Sequence, residues 1–136
     1  MIEAYTESPG NYIAVAPVPA DQTRQYGIVR PCPLEEGMDM VEEIVEKPDP
    51  QVAPSRIAVV GRYILTPAIF DLLEQVQPGA GGEIQLTDAI AALLTRERVV
   101  AHRFKGTRYD CGSKLGYLAA TVAFGRKHTE VGREFE

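Results

Sequence analysis

The hydrophobic positions of the first two thirds of the chain fall mostly into short runs and alternations, a pattern typical of strands. The strongest run lies at residues 56–65, and its nearly continuous apolar stretch predicts a strand that is buried on both faces. The predicted strands lie at residues 11–18, 26–29, 40–47, 56–65 and 98–104, with a further short one at 107–110.

Apolar residues at helical spacing predict three full helices, at residues 66–76, 86–97 and 113–128. Thr66 is expected to cap the first of these, with Pro67 in its first turn. The last is expected to pack through four apolar residues, which are Leu115, Leu118, Ala119 and Val122. A further helical segment at residues 1–8 has no cap, so the chain is expected to begin inside a larger fold. Strands followed by a helix–strand–helix alternation indicate an α/β protein.

Composition narrows the class of protein. The chain has 136 residues, of which 45% are hydrophobic and 24% charged, and its net charge is −5. These values predict one globular domain or part of one, and they argue against a non-specific nucleic-acid binder. Cys32 and Cys111 are expected to be reduced thiols in a cytoplasmic protein, with a disulfide as the alternative. His102 and His128 have no partner at metal-ligand spacing and are expected to be structural or surface residues.

The segment at residues 44–48 concentrates polar chemistry at the end of a predicted strand. Pro48 is expected to hold Lys47 in an extended conformation, so that Glu46 and Lys47 point to opposite faces. Glu46 is then placed to accept hydrogen bonds from polyol hydroxyls, and Lys47 to bind an anion such as a phosphate. The alternative is a solvated pair of charges at a strand end.

Asp110 follows a predicted strand and precedes a helix, which is where α/β proteins bind ligands. A carboxylate at this place suits Mg²⁺, and the alternative is a cap for the following helix. Gly27 and Gly61 interrupt predicted strands, which indicates either the close approach of a ligand or a β-bulge. Glu83, Gln85 and Asp88 form a polar group where the second full helix begins, and capping is the default explanation for at least two of them.

No dinucleotide or P-loop fingerprint is present in the sequence, which argues against a nicotinamide-type binder. The glycine-rich stretch at residues 79–82 follows a helix rather than a strand, so it is read as a connector.

The chain resembles the C-terminal half of bacterial UTP–glucose-1-phosphate uridylyltransferases, also called UDP-glucose pyrophosphorylases. The most specific matches are the runs Gly-Glu-Ile-Gln-Leu-Thr-Asp-Ala-Ile at 82–90 and Tyr-Asp-Cys-Gly-Ser-Lys-Leu-Gly-Tyr at 109–117. Shorter matches in the same order lie at residues 26–29, 45–48, 53–55, 60–63 and 125–128. The resemblance implies a partial Rossmann-like, glycosyltransferase-A-like nucleotidyltransferase fold, with a mixed sheet and flanking helices.

The resemblance also implies a role for each matching residue of the sugar side. Gly27 would lie against the sugar and offer backbone contacts. Glu46 would accept hydrogen bonds from glucose hydroxyls, and Lys47 would bind the phosphate linked to the sugar. Gly61 and Tyr63 would line the sugar pocket.

The catalytic residues implied by the resemblance are Lys47 and Asp110, with Asp110 as one of two aspartates that hold a catalytic Mg²⁺. The substrates implied are UTP and glucose 1-phosphate, and the products are UDP-glucose and pyrophosphate. The family's nucleotide loop, Gly-x-Gly-x-Arg, is not in the sequence. Residues 1–136 are therefore expected to be a sugar-phosphate-binding half that is inactive by itself and forms homo-oligomers. The alternative is a non-catalytic sugar-phosphate-binding or oligomerisation module.

Overall fold

A computed structural model describes residues 1–79 and 82–135. Ala80 and Gly81 belong to the predicted glycine-rich connector and, with Glu136, lie outside the described residues. The chain divides into two units, Met1–Phe104 and Lys105–Glu136. Each unit is described by itself.

The first unit holds every strand found in the described residues and most of the helices. Its helices are α1 (Ile2–Glu7), a 3₁₀ helix (Ala20–Gln25), α2 (Ala68–Gln75) and α3 (Leu86–Leu93). Its strands are β1 (Asn11–Pro17), β2 (Gly27–Glu35), β3 (Met38–Glu46), β4 (Ile57–Ile64) and β5 (Val99–Arg103). The second unit contains α4 (Lys114–Lys127). The five main predicted strands and the three full helices are confirmed. The prediction of a short strand at 107–110 is wrong, since the structure has no strand at these residues.

The five strands form one mixed sheet that closes on itself in the order β1-β4-β2-β3-β5. β1 and β5 run parallel, and the other neighbouring pairs are antiparallel. The mixed sheet of the sequence prediction is therefore confirmed. The β2–β3 hairpin is longer than predicted and turns at Gly37, whose φ of 78° suits a residue without Cβ.

The core lies between the sheet and the two helices that follow β4. Strands contribute buried side chains such as Ile13, Val29 and Val99, and α2 and α3 contribute the apolar faces that the helical spacing predicted. Those faces are made of Ile69, Leu72, Ala89, Ile90 and Leu93. Burial of these aliphatic side chains is the main source of stability in this unit.

A partly buried polar cluster joins the start of β1 to the segment before β5. The Asn11 side chain, which is 2% exposed, donates to Glu97 Oε2 at 2.8 Å and to the Arg98 carbonyl at 3.2 Å. Its Oδ1 accepts from the Thr66 N–H at 2.8 Å, and the Thr66 hydroxyl donates to the same Glu97 oxygen. The hydrogen bonds from Asn11 and Thr66 lower the pKa of the Glu97 carboxyl.

This cluster overturns one helix-capping prediction. Pro67 is the N-cap residue of α2, and the Thr66 side chain makes no capping hydrogen bond. Its hydroxyl is committed to the Glu97 carboxylate, since a charged acceptor forms the stronger hydrogen bond.

Two predictions about burial are also wrong. Ala58 and Val59 of β4 are buried, but residues 61–63 are exposed, so the strand is not buried on both faces along its length. In α4 only Ala120 is buried. The four residues predicted to pack this helix are exposed.

Both cysteines are free thiols, as predicted. In residues 1–79 and 82–135, none of the helices combines the length and the apolar character that crossing a membrane would require.

Candidate functional site

Glu46, the last residue of β3, is the centre of the polar group predicted from the sequence. Its side chain is 17% exposed and accepts a hydrogen bond from the Thr87 hydroxyl on Oε2 at 2.6 Å. Thr87 lies in the first turn of α3 and is 8% exposed. A half-buried carboxylate held by a hydroxyl differs from the solvated charge pair that was the alternative reading.

Lys47 does not have the extended conformation predicted from its position before proline. Its φ is 46°, in the left-handed region that disfavours residues with a Cβ. The Lys47 N–H donates to the Tyr26 carbonyl at 3.0 Å, which fixes the backbone as it leaves the sheet.

The prediction that Glu46 and Lys47 point to opposite faces is wrong for the same reason. A residue in the left-handed conformation breaks the alternation of strand side chains. The Lys47 Nζ therefore lies 3.5 Å from Glu46 Oε1, and the ammonium remains about half exposed. A carboxylate and a cation consequently face the same region of solvent.

Gly27 begins β2 directly opposite Glu46 in the β2–β3 ladder. The register shifts of this hairpin lie further along, after Arg30, so the β-bulge reading of Gly27 is wrong. A Cβ at this position would lie 3.0 Å from Thr87 Oγ1 and 3.4 Å from Glu46 Oε2. A side chain here would press on both partners of that hydrogen bond, and glycine leaves them room.

Gly61 and Tyr63 lie on β4. The bulge reading of Gly61 is confirmed: its φ is 82°, and the β1–β4 register shifts across this segment. Tyr63 is 38% exposed. Burial and the negative charge of Glu46 raise the pKa of the Tyr63 hydroxyl, which indicates that the phenol lies within electrostatic range of that carboxylate.

Asp110 lies in the second unit, ahead of α4. Its Oδ1 accepts from the Gly112 N–H at 3.1 Å, and Arg108 Nη2 lies 3.7 Å from its Oδ2. The capping alternative is wrong, because Ser113 is the N-cap of α4 and accepts from the Gly116 N–H.

The first turn of α4 lies against the backbone of Asp110. A Cβ on Gly116 would stand 2.0 Å from the Asp110 carbonyl oxygen, so only glycine permits this approach. The turn that presents the Asp110 carboxylate thus depends on a glycine six residues later.

The residues that are described contain no group of three or more His, Cys, Asp or Glu side chains placed to hold a metal ion. Mg²⁺ commonly takes only one or two protein carboxylates and fills its other positions with water and phosphate oxygens. Asp110 fits one such position, since its carboxylate is 44% exposed and offers hard oxygen donors.

The capping predicted for the polar group at the start of α3 is not found at Gln85. Gln85 is the N-cap residue but makes no side-chain capping hydrogen bond, and its amide donates instead to Glu83 Oε2 at 3.5 Å. The histidines have the structural and surface roles that were predicted. His128 is exposed, and its Nδ1 accepts from the Glu130 N–H. His102 is partly buried on β5, and burial lowers its pKa.

Thr87 is the one residue of this group that sequence reasoning missed. It was noted only as part of the run at residues 82–90, and nothing in a single sequence pairs it with a glutamate 41 residues away. The structure thus brings together Gly27, Glu46, Lys47 and Thr87 in the first unit, with Tyr63 in electrostatic range.

Comparison with known proteins adds independent evidence. The family described as nucleotidyl transferase matches residues 1–126. The UTP–glucose-1-phosphate uridylyltransferase of Streptococcus pneumoniae serotype 4 is 46% identical over 132 residues, which are 96% of this chain and 44% of that protein. The enzyme of the same name from Streptococcus pyogenes is 42% identical over 137 residues, covering 100% of this chain and 45% of that protein.

Solved structures agree with these relatives. A UDP-glucose pyrophosphorylase complexed with UDP-glucose matches with a TM-score of 0.88 and 43% identity, over 93% of this chain and 48% of that one. A UTP-bound enzyme of the same kind from Acinetobacter baumannii matches with a TM-score of 0.82 and 45% identity, over 99% of this chain and 46% of that one. The chain therefore spans a little under half the length of the proteins it matches.

Proposed function

Because the chain belongs to the nucleotidyl transferase family, we propose that it supplies the sugar-phosphate side of a UTP–glucose-1-phosphate uridylyltransferase. The observation that carries the proposal is the placement of a half-buried carboxylate and an exposed ammonium on one side of the β3 end. Glu46 would accept hydrogen bonds from sugar hydroxyls, and Lys47 would neutralise the phosphate of the same molecule. The names of the relatives support glucose 1-phosphate as that molecule.

The proposed reaction is a displacement at phosphorus. A phosphate oxygen of glucose 1-phosphate forms a bond to the α-phosphorus of UTP, and the bond from that phosphorus to the bridging oxygen breaks to release pyrophosphate. The attacking oxygen is already anionic, so no general base is needed. Catalysis then rests on in-line positioning and on neutralisation of charge, for which Lys47 provides one cation.

Magnesium is part of the proposal through Asp110. When bound, Mg²⁺ neutralises phosphate charge and polarises the reacting phosphoryl group. Asp110 would offer one carboxylate oxygen, with Gly112 and Gly116 fixing the turn that presents it. Gly27, Gly61 and Tyr63 complete the proposed sugar pocket.

We also propose that the 136-residue chain is inactive by itself, because it contains no Gly-x-Gly-x-Arg nucleotide loop. The test is release of pyrophosphate, measured with a coupled assay in the presence of UTP, glucose 1-phosphate and Mg²⁺. Turnover clearly above that of a Lys47→Ala control would contradict this part. Calorimetric binding of glucose 1-phosphate by the wild-type chain, lost in Lys47→Ala, supports the sugar-phosphate assignment.

The assembly of the chain is proposed to be homo-oligomeric. Each of the five described strands already has two neighbours, so pairing between copies through a strand edge is disfavoured. The candidate surface is α4, where Leu115, Tyr117, Leu118 and Phe124 are each more than half exposed. A monomer in light scattering at micromolar concentration would contradict the proposed homo-oligomer.

The proposed location is the cytoplasm. Recovery of the protein in the membrane pellet after cell fractionation would contradict that location.

A further inference from the structure

We infer that Thr87 is a positioning residue that fixes the Glu46 carboxylate for recognition of the sugar. The inference rests on the proposed function for its ligand, because Glu46 is assigned there to the sugar hydroxyls. Its structural basis, the hydrogen bond from Thr87 to Glu46, does not depend on that assignment.

The hydrogen bond joins two elements that are distant in sequence. The Thr87 hydroxyl donates to Glu46 Oε2 at 2.6 Å, a length typical of a hydroxyl bound to a charged oxygen. Thr87 is held in place because the following turns of α3 bury Ala89, Ile90 and Leu93 in the core. Its branched Cβ further restricts rotation of the hydroxyl-bearing side chain.

The neighbouring residues leave this geometry little freedom. A Cβ on Gly27 would stand 3.0 Å from Thr87 Oγ1, so a side chain at this point of β2 would press on the hydroxyl. On the other side of the carboxylate, Lys47 Nζ lies 3.5 Å from Oε1. The two oxygens of Glu46 therefore have different partners.

This asymmetry has a consequence for the ligand. An ionised carboxylate has about four positions at which it can accept hydrogen bonds. Thr87 occupies one of these on Oε2 and thereby sets the plane of the group. The remaining positions are presented in a fixed orientation, which favours hydroxyl donors arranged as on one particular sugar.

The experiment compares Thr87→Val, which removes the hydroxyl and keeps the shape, with Thr87→Ser, which keeps the hydroxyl. Thr95→Val is the matched control, since that hydroxyl donates to a backbone carbonyl, that of Ala92, near the end of the same helix. Binding of glucose 1-phosphate and of inorganic phosphate to the 136-residue chain is measured by calorimetry. If Thr87→Val does not fold by circular dichroism, Thr87→Ala takes its place.

The expected result is a loss of about tenfold in affinity for glucose 1-phosphate in Thr87→Val, the size of one hydrogen bond to a charged group. Thr87→Ser and Thr95→Val should stay within about twofold of wild type. Binding of inorganic phosphate should be unchanged in every variant, because Lys47 is untouched. Equal affinity of Thr87→Val and wild type for glucose 1-phosphate would overturn the inference, and so would a parallel loss of phosphate binding.

A second readout separates this inference from the proposed function. If the wild-type chain binds no glucose 1-phosphate, the proposed function fails. The ¹³C chemical shift of the Glu46 carboxyl carbon then tests whether Thr87 holds this carboxylate. In ¹³C-labelled protein its chemical shift should move in Thr87→Val and remain in place in Thr87→Ser. A signal that does not move in Thr87→Val would show that Thr87 does not hold the carboxylate.

Discussion

Replacing Lys47 by glycine and by alanine should separate the strain at this position from the charge of its side chain. Both variants lack the ammonium, but only alanine retains a Cβ in the left-handed conformation at φ 46°. That conformation costs a residue with a Cβ roughly 1–2 kcal/mol. Glycine also lowers the free energy of unfolding by about 0.4–1 kcal/mol relative to alanine, because it is more flexible in the unfolded chain. We therefore expect Lys47→Gly to be more stable than Lys47→Ala by about 0.5–1 kcal/mol.

The assay is reversible unfolding by urea and by heat, with both variants measured beside the wild type. The expected difference corresponds to roughly 2–4 °C in melting temperature for a chain of this size. Both variants should lose affinity for glucose 1-phosphate to the same extent, because each lacks the cation. If Lys47→Ala is as stable as Lys47→Gly, the left-handed backbone is not strained, and the explanation of how Lys47 reaches the side of Glu46 is wrong.

Three further substitutions test other parts of the structure. Glu46→Gln should lower the pKa of the Tyr63 hydroxyl towards its ordinary value, because a negative charge no longer opposes the phenolate, while burial keeps part of the shift. A ¹³C titration of the tyrosine ring measures this pKa. An unchanged pKa would refute the proximity of the two groups. Asn11→Ala should destabilise the fold by about 1–3 kcal/mol, since it leaves the Thr66 N–H without its acceptor. This loss of stability should become smaller as pH falls, because protonation of the Glu97 carboxylate weakens the same cluster in the wild type. A difference in urea unfolding that does not change with pH would contradict this expectation. Gly116→Ala should speed amide hydrogen exchange in the turn before α4, whereas alanine at a glycine with open space around it should not, and equal exchange in both would show that the close contact is unimportant.

Much of the fold could be predicted because local sequence patterns identify its strands and helices. The strands at 11–18 and 56–65 and the two helices that follow the second of them carry patterned apolar residues, and the structure has these elements at similar bounds. Glu46 and Lys47 were also visible as a candidate site, since a carboxylate, an ammonium and a proline in sequence are conspicuous. The alternation of strands and helices was sufficient to predict an α/β protein, whereas the mixed sheet was implied by the resemblance.

The predictions that failed were those in which a distant partner overrides a local preference. Lys47 leaves the extended region favoured before proline, because its N–H is bound to the carbonyl of Tyr26, the residue that directly precedes β2. The Thr66 hydroxyl binds Glu97 rather than the helix that follows it. Thr87 reaches Glu46 only after α3 has packed on the sheet, and no local pattern contains that information.

The closed order of the sheet also has a consequence for biosynthesis. β5 is the last strand of the ring and is inserted between β1 and β3, parallel to one and antiparallel to the other. A ribosome adding about 5–20 residues per second needs a few seconds to make the roughly 40 residues that separate the end of β4 from the end of β5. During that interval the nascent chain can pair four strands, but the facing edges of β1 and β3 have no partner. Those two edges are the stretch of backbone through which an unfinished chain is most exposed to pairing with another.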